Sequence, residues 1–321
     1  MKNSFTLAIS DPQATYYAEA LRANFPKVRI LAACSPLDLR ACIGEADALA
    51  TFGVELNAEL IDKAPRLRWI QALSSGTDRI EPLLINRKDI LLTSARGAHG
   101  APVSEMAIML MLALARRLPM AIRNQDRHVW SRNPGTLLYG KTVGIAGMGV
   151  IGKRIATVAT AFGMKTIGFG SLQITVGQLV EHHLYSELKA VASDLDFLVV
   201  VTPLRADTVG MIDRAIFNSM KRTAVLVNVS RGAVVNEDDL VAALREKLIA
   251  GAAIDAFREE PLSAASPFWS LSNVIITPHI GGDHDRYAEM VAPIIATNLR
   301  SLLEGREVDM VNKVQVGDAA R

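Results

Sequence analysis

Short apolar runs alternate with segments whose apolar residues recur every three or four positions, and they do so along most of the chain. In the first hundred residues the runs fall at 5–10, 28–31, 48–52, 69–73 and 90–93, with a helical pattern over 13–24. The alternation resumes at 142–146, 165–169, 196–201, 224–229, 252–255 and 274–277. Strands that alternate with helices predict parallel sheets with crossover helices. Between the two series lies an apolar helix predicted over 104–117, with Ser104 placed to cap its first turn. Met106, Ile108, Met109, Leu110, Met111, Leu112 and Leu114 take up most of its circumference, so a subunit interface or an interdomain seam has to cover it. Beyond Asp283 the pattern is helical to about Leu303, and the polar tail 314–321 is expected to be loosely held.

At 321 residues the chain exceeds the size at which one core keeps growing, which predicts two domains with room for a cleft between them. The expected class is α/β, with two doubly wound parallel-sheet domains. The first is discontinuous, 1–99 plus 286–321, and the second spans 100–285.

Charge narrows the partners. Lys and Arg number 35 against 33 Asp and Glu, and no basic run reads as a nucleic-acid or membrane patch. The longest apolar run, 106–115, is far short of the roughly 20 residues a membrane span needs. Small molecules are therefore the expected partners, with no nucleic acid and no membrane. Two cysteines, Cys34 and Cys42, make neither a disulfide framework nor a zinc site, and reduced thiols point to the cytoplasm. The amino terminus lacks the apolar stretch and cleavage site of a signal peptide.

The candidate chemistry begins at Gly147-Met148-Gly149-Val150-Ile151-Gly152, which follows an apolar strand and opens a helix. In that setting Gly147 makes a tight turn, Gly149 admits a pyrophosphate to the backbone, and Gly152 lets helix and strand pack closely. The amides of Val150 and Ile151, at the positive end of the helix, are the expected phosphate donors. NAD-specific versions of this unit end their second strand in an acid that binds the ribose. Here Gly170 and Ser171 follow the strand, with neither that acid nor an Arg for a 2′-phosphate. Ser171 is kept as a cofactor contact, and the choice between NAD and NADP stays open.

Three further segments, Asn228-Val229-Ser230-Arg231-Gly232-Ala233, Asp255-Ala256-Phe257-Arg258-Glu259-Glu260-Pro261-Leu262 and Thr277-Pro278-His279-Ile280-Gly281-Gly282, resemble the D-isomer-specific 2-hydroxyacid dehydrogenase family. The resemblance spans nearly the whole chain and is strongest over 140–282. It implies a Rossmann dinucleotide-binding domain, a flavodoxin-like substrate domain, and a catalytic group of Arg231, Glu260 and His279. Taken singly these are a surface charge, a solvated loop acid and a strand-end histidine. All three stand at the ends of successive predicted strands, where open α/β sheets bind ligands.

The chemistry agrees with the family roles. Oxidising a 2-hydroxy acid needs a base that works near neutral pH, which suits histidine. A carboxylate on its other nitrogen sets the tautomer and suits it to return the proton in the reducing direction. A guanidinium holds the substrate carboxylate and polarises the keto oxygen.

The resemblance also implies that the backbone amides of the loop Ser74-Ser75-Gly76-Thr77-Asp78 cradle the substrate carboxylate, which places Ser75 and Gly76 across the cleft from Arg231, although a plain turn reads the same way. It makes Pro203 a wall of the adenosine pocket and Thr208 a hydrogen-bonding cofactor contact. Asp255 resembles the acid that holds the nicotinamide carboxamide, or is a buried strand-end Asp. His99 is kept as a cleft residue. His128, His182, His183 and His284 are read as structural or solvated, and no cluster has metal-ligand spacing. Asn236 is read as a helix cap.

The expected function is hydride transfer between NAD or NADP and a small 2-hydroxy/2-keto acid, glyoxylate or hydroxypyruvate first, in a homodimer. Residues 46–62 hold no Lys or Arg to meet a phosphate, which disfavours phosphoglycerate. The alternatives are an NAD(H)-sensing interaction protein of corepressor type and a phosphite dehydrogenase-like enzyme.

Overall fold

The computed structural model describes residues 4–172, 177, 179 and 181–316. In chain order the strands are β1 (Thr6–Ser10), β2 (Arg29–Ala33), β3 (Ala48–Thr51), β4 (Trp69–Ala72), β5 (Leu91–Thr93), β6 (Thr142–Ala146), β7 (Lys165–Gly170), β8 (Glu181–Leu184), β9 (Phe197–Val200), β10 (Val225–Asn228), β11 (Gly251–Ile254), β12 (Val274–Ile276) and β13 (Lys313–Val314). The helices are α1 (Ala14–Arg22), α2 (Pro36–Cys42), α3 (Ala58–Asp62), α4 (Gly100–Ala115), α5 (Leu118–Asp126), α6 (Val150–Ala161), α7 (Leu188–Val191), α8 (Arg214–Ser219), α9 (Glu237–Arg245) and α10 (Tyr287–Leu303). The chain divides into two compact units, Met1–His99 with His284–Arg321, and Gly100–Asp283.

In the first unit the strand order is β13-β5-β4-β3-β1-β2, parallel except that β13 runs antiparallel to β5. Without β13 this is the flavodoxin-like order, whose direction of winding reverses between β1 and β3. Every residue of β1, β3 and β4 is buried, because apolar side chains face helices on both sides of the sheet. Leu7, Tyr17, Trp69 and Ile295 belong to one core layer, and Leu39, Ile61 and Ile70 to the other.

One polar residue in that sheet is fully paired. Gln71 Oε1 accepts from Thr93 Oγ1 at 2.8 Å and from Asn298 Nδ2 at 2.9 Å, while Asn298 Oδ1 accepts from the Val311 amide at 2.7 Å. These bonds tie α10 and the segment after it to β4 and β5. A buried amide costs free energy unless it is paired, so the network selects one seat for the returning chain.

The second unit has the order β12-β11-β10-β9-β6-β7-β8, the doubly wound Rossmann order with one strand added. Its switch point lies between β6 and β9, so the loops after these two strands flank the ligand-binding crevice. α9 starts as expected, with Asn236 Oδ1 accepting from the Asp239 amide at 3.2 Å and three acids in the first turn.

Several expectations need correction. The long apolar helix begins at Gly100, so Ser104 lies inside it and donates Oγ to the Ala101 carbonyl at 2.7 Å instead of capping. Val103, Ala107, Leu110 and Met111 are buried against α6 and the sheet. His182 and His183, read from the sequence only as structural or solvated, form half of an unexpected strand, β8, parallel to β7. Val314 is not part of a loose tail, since it pairs with Leu92 as an antiparallel edge. His284 precedes the last helix, which starts at Tyr287.

Candidate active site

The glycine loop is shaped by backbone contacts. Gly147 has φ +112°, and a Cβ there would lie 2.7 Å from the Thr202 amide nitrogen after β9. At Gly152 a Cβ would lie 1.9 Å from the Gly147 carbonyl oxygen, so α6 can start this close to the loop only with glycine. A Cβ on Gly149 would instead meet nothing within 4 Å. The space outside Gly149 is therefore open, and the amides of Val150 and Ile151 open α6 with no acceptor in their own helix. An open approach, a glycine and first-turn amides fit a pyrophosphate.

Around this loop, Ser171 is exposed just beyond β7, and Pro203 is exposed beside the Thr202 that Gly147 touches. Tyr185 and Thr202 share a hydrogen bond of 2.7 Å. His182 reaches the end of β7, with its Cε1 3.3 Å from where a Cβ on Gly170 would stand, and burial lowers its pKa. Thr208, the other residue implied to touch the cofactor here, holds its own turn. It is fully buried, and its Oγ1 bonds within its own turn, 2.8 Å from both the Pro203 carbonyl and the Arg205 amide. It shapes the Pro203 loop.

The Arg231 loop follows β10. Asn228 is buried, and its Nδ2 donates to the Arg231 carbonyl at 3.2 Å while its Oδ1 accepts from Ser230 Oγ at 2.8 Å. Arg231 Nη1 donates to the Ser230 carbonyl at 3.0 Å. At Gly232 a Cβ would stand 1.9 Å from the Phe257 carbonyl carbon, so only glycine lets this loop lie on the one after β11.

That neighbouring loop carries Glu260, whose Oε1 accepts from the Phe257 amide at 3.0 Å. Both of its carboxylate oxygens meet His279 Nδ1, at 2.8 and 2.9 Å. His279 has φ +54°, in the left-handed region where side chains are uncommon, and strain of this kind clusters at functional sites. Asp255 holds that conformation from beneath. It is 2 % exposed, its Oδ1 accepts from Thr277 Oγ1 at 2.6 Å and the Ile280 amide at 3.0 Å, and its Oδ2 accepts from the Gly281 amide at 2.8 Å. Because Nδ1 faces a carboxylate, Nε2 is the nitrogen left to exchange a proton with a reactant.

In the first unit Ser75 lies in the loop after β4. Its Oγ is 2.7 Å from His99 Nδ1, and His99 Nε2 is 2.8 Å from the hydroxyl of Tyr287. The Gly76 carbonyl accepts from Ser74 Oγ at 2.6 Å. Among the described residues no group of three His, Cys, Asp or Glu is placed to hold a metal ion.

Residues 108–281 match the model of the D-isomer specific 2-hydroxyacid dehydrogenase NAD-binding domain. The chain belongs to the D-isomer specific 2-hydroxyacid dehydrogenase family. It is an NAD(P)-linked oxidoreductase of that family. A glyoxylate reductase of Pyrococcus furiosus is 34 % identical over 282 residues, 84 % of each chain. A D-3-phosphoglycerate dehydrogenase of Methanocaldococcus jannaschii is 32 % identical over 289 residues, 89 % of this chain and 55 % of the relative, so this chain spans little more than half of that protein. The crystal structure of an NADPH-dependent glyoxylate/hydroxypyruvate reductase from Sinorhizobium meliloti superposes with a TM-score of 0.83 at 26 % identity, covering 98 % of this chain and 99 % of that one.

Sequence reasoning named Arg231, Glu260 and His279 as candidates but gave no role to Asn228, Gly232 or Thr277, which shape the loops that carry them. Asn228 and Gly232 stand in the same short segment as Arg231, and a buried amide or a glycine at a strand end was the available signal. The pairing of His99 with Tyr287 had no such signal.

Proposed function

We propose that this enzyme reduces glyoxylate or hydroxypyruvate to the 2-hydroxy acid. In this reading residues 100–283 bind the dinucleotide and residues 1–99 with 284–321 bind the acid. The observation that carries it is the Glu260–His279 pair, which lies in the same unit as the glycine loop and whose His279 turn is held by Asp255.

The dinucleotide, when bound, supplies the hydride. The Val150 and Ile151 amides hold its phosphates, with Ser171 and Pro203 at its adenosine end. Arg231 binds the substrate carboxylate and polarises the keto oxygen. His279 Nε2 gives its proton to that oxygen as the hydroxyl forms, and Glu260 faces the imidazolium before transfer. The Ser75–Gly76 loop receives the carboxylate. Both NADH and NADPH remain candidate donors, because the end of β7 carries neither an acid nor an arginine.

The protein is further proposed to act as a homodimer in the cytoplasm. The segment after α5 exposes Leu137 at 64 %, Tyr139 at 76 % and Trp130 at 95 %, apolar side chains that water disfavours and a second copy would cover. Cys34 and Cys42 are free thiols, in keeping with a reducing compartment. No helix among the described residues is long and apolar enough to cross a membrane. Sedimentation of the wild type against Trp130→Glu tests the dimer, with a monomeric wild type the opposing result.

Activity is tested by offering glyoxylate, hydroxypyruvate, 3-phosphoglycerate's keto acid and phosphite, with reduced or oxidised NAD and NADP as each requires. Turnover of the first two is expected. Dinucleotide binding without turnover across the panel overturns the reading in favour of a sensor.

A further inference from the structure

The three acids in the first turn of α9 are placed differently from one another. Asp239 Oδ2 accepts from the Arg214 amide at 3.1 Å. Asp238 stands 4.0 Å from the Arg258 guanidinium with both side chains largely exposed, a pair that contributes little. Glu237 instead takes a backbone group 21 residues away, its Oε1 accepting from the Arg258 amide at 2.6 Å. An acid that only complemented the helix dipole would need no such partner.

That amide belongs to the Phe257–Arg258 peptide, and Gly232 lies on the same peptide. A Cβ on Gly232 would stand 1.9 Å from the Phe257 carbonyl carbon and 2.1 Å from the Arg258 nitrogen. Segment 232–237 therefore grips one peptide with both its ends, the Gly232 backbone against its face and the Glu237 carboxylate on its N–H.

The gripped peptide sits inside the turn 257–260, which Glu260 closes by accepting from the Phe257 amide at 3.0 Å. Phe257 is buried, its ring edge-on to Phe268 with 5.6 Å between centroids, so packing fixes where this residue sits. Packing does not fix how the next peptide is rotated. Rotation there changes ψ of Phe257 and φ of Arg258 and swings the chain leading to Glu260, drawing its carboxylate away from His279 Nδ1. A carboxylate acceptor on the N–H makes a strong bond that sets the rotation. We propose that Glu237 is a positioning residue for the Glu260–His279 pair, acting through the Phe257–Arg258 peptide; this rests on the proton-transfer role proposed for that pair. The Arg231 loop has a brace of its own, since Asn228 donates to the Arg231 carbonyl and accepts from Ser230. Loss of Glu237 therefore acts on proton transfer more than on substrate binding.

The test is steady-state reduction of glyoxylate and hydroxypyruvate by the full chain, with dinucleotide Kd and Tm measured alongside. Glu237→Ala removes the acceptor. Glu237→Asp keeps an acid at the positive end of α9 but shortens its reach by one methylene, so it carries the test even where Glu237→Ala fails to fold. Each should lower kcat by about 10²-fold, with KM for the keto acid and dinucleotide Kd near wild type. Glu237→Gln still offers an oxygen at the same reach and should stay within about fivefold of wild-type kcat. Asp238→Asn removes the same charge from the same turn and should leave kcat unchanged.

A role that was merely structural would not spare KM and Kd, and would not be rescued by Gln while failing with Asp. In a Glu260→Ala background, adding Glu237→Ala should cost less than about threefold further in kcat, because the residue it positions is gone. Wild-type kcat in Glu237→Asp, or a full additional loss in the Glu260→Ala background, overturns the proposal and leaves the hydroxyacid reading standing. Unaltered kcat in Glu260→Ala, or no turnover of any keto acid by the wild type, sinks both.

Discussion

Glu260 meets His279 Nδ1 with both carboxylate oxygens, at 2.8 and 2.9 Å, from a loop 19 residues earlier in the chain. The carboxylate also accepts from the Phe257 amide, so it is held on two sides. An amide in its place keeps the shape but can donate to Nδ1, which favours the wrong tautomer. Glu260→Gln is expected to lower kcat for keto-acid reduction by about 10²–10⁴-fold with dinucleotide Kd nearly unchanged. Steady-state kinetics and dinucleotide titration check it, and an unaltered kcat removes Glu260 from the proton transfer.

Asp255 separates two accounts of the same residue. Family resemblance implies a contact with the nicotinamide carboxamide, whereas its oxygens accept from Thr277, Ile280 and Gly281. Asp255→Asn sets an amide N–H against at least one of these donors. Stability in denaturant should fall by about 1–3 kcal/mol, together with kcat. A rise in dinucleotide Kd with stability intact would favour the carboxamide role instead.

The loop glycines should separate binding from folding. Gly152→Ala pushes a methyl against the Gly147 carbonyl and should cost about 1–3 kcal/mol of stability as α6 is displaced. Gly149→Ala meets nothing in the protein, so its Tm should hold while dinucleotide Kd rises. Paired thermal melts and dinucleotide titrations decide. Equal losses of stability in both variants would contradict the open approach at Gly149.

Acid stability should depend on Asp196. Burial pushes its carboxyl up, but the Thr142 amide and the Lys221 and Lys141 ammonium groups outweigh that and hold it below the ordinary carboxylate range. A carboxyl depressed in the folded state adds stability above its unfolded pKa, and loses it as pH falls through the folded one. Its share is therefore full at neutral pH and is lost progressively as pH falls below about 4. Asp196→Asn should be less stable than wild type at pH 7, with the gap closing toward pH 3. A gap that stays constant across that range would refute it.

Tyr17 is fully buried, and among the described residues its hydroxyl has no hydrogen-bond partner. Burial first, then Asp11, pushes the phenol up. Tyr17→Phe removes an unpaired polar atom and should stabilise the protein by about 1 kcal/mol. Denaturant midpoints measure it, and a destabilised variant would mean the hydroxyl is satisfied in solution.

What the sequence alone determined is what short-range patterning encodes. Buried parallel strands need apolar side chains on both faces, so β1, β3, β6 and β9 stand out as continuous runs. A phosphate turn needs glycine within six residues, and Arg231, Glu260 and His279 each sit in a short segment at a strand end. The tertiary structure decided the rest. His99 and Tyr287 are 188 residues apart, and they meet because α10 returns to a sheet whose Gln71 pairs with Asn298. Gly232 needs glycine only because the backbone after β11 lies on it, and Asp255 clamps the His279 loop only because β11 and β12 are neighbours. Periodicity records which face of an element is buried, but not which distant polar group will be waiting there.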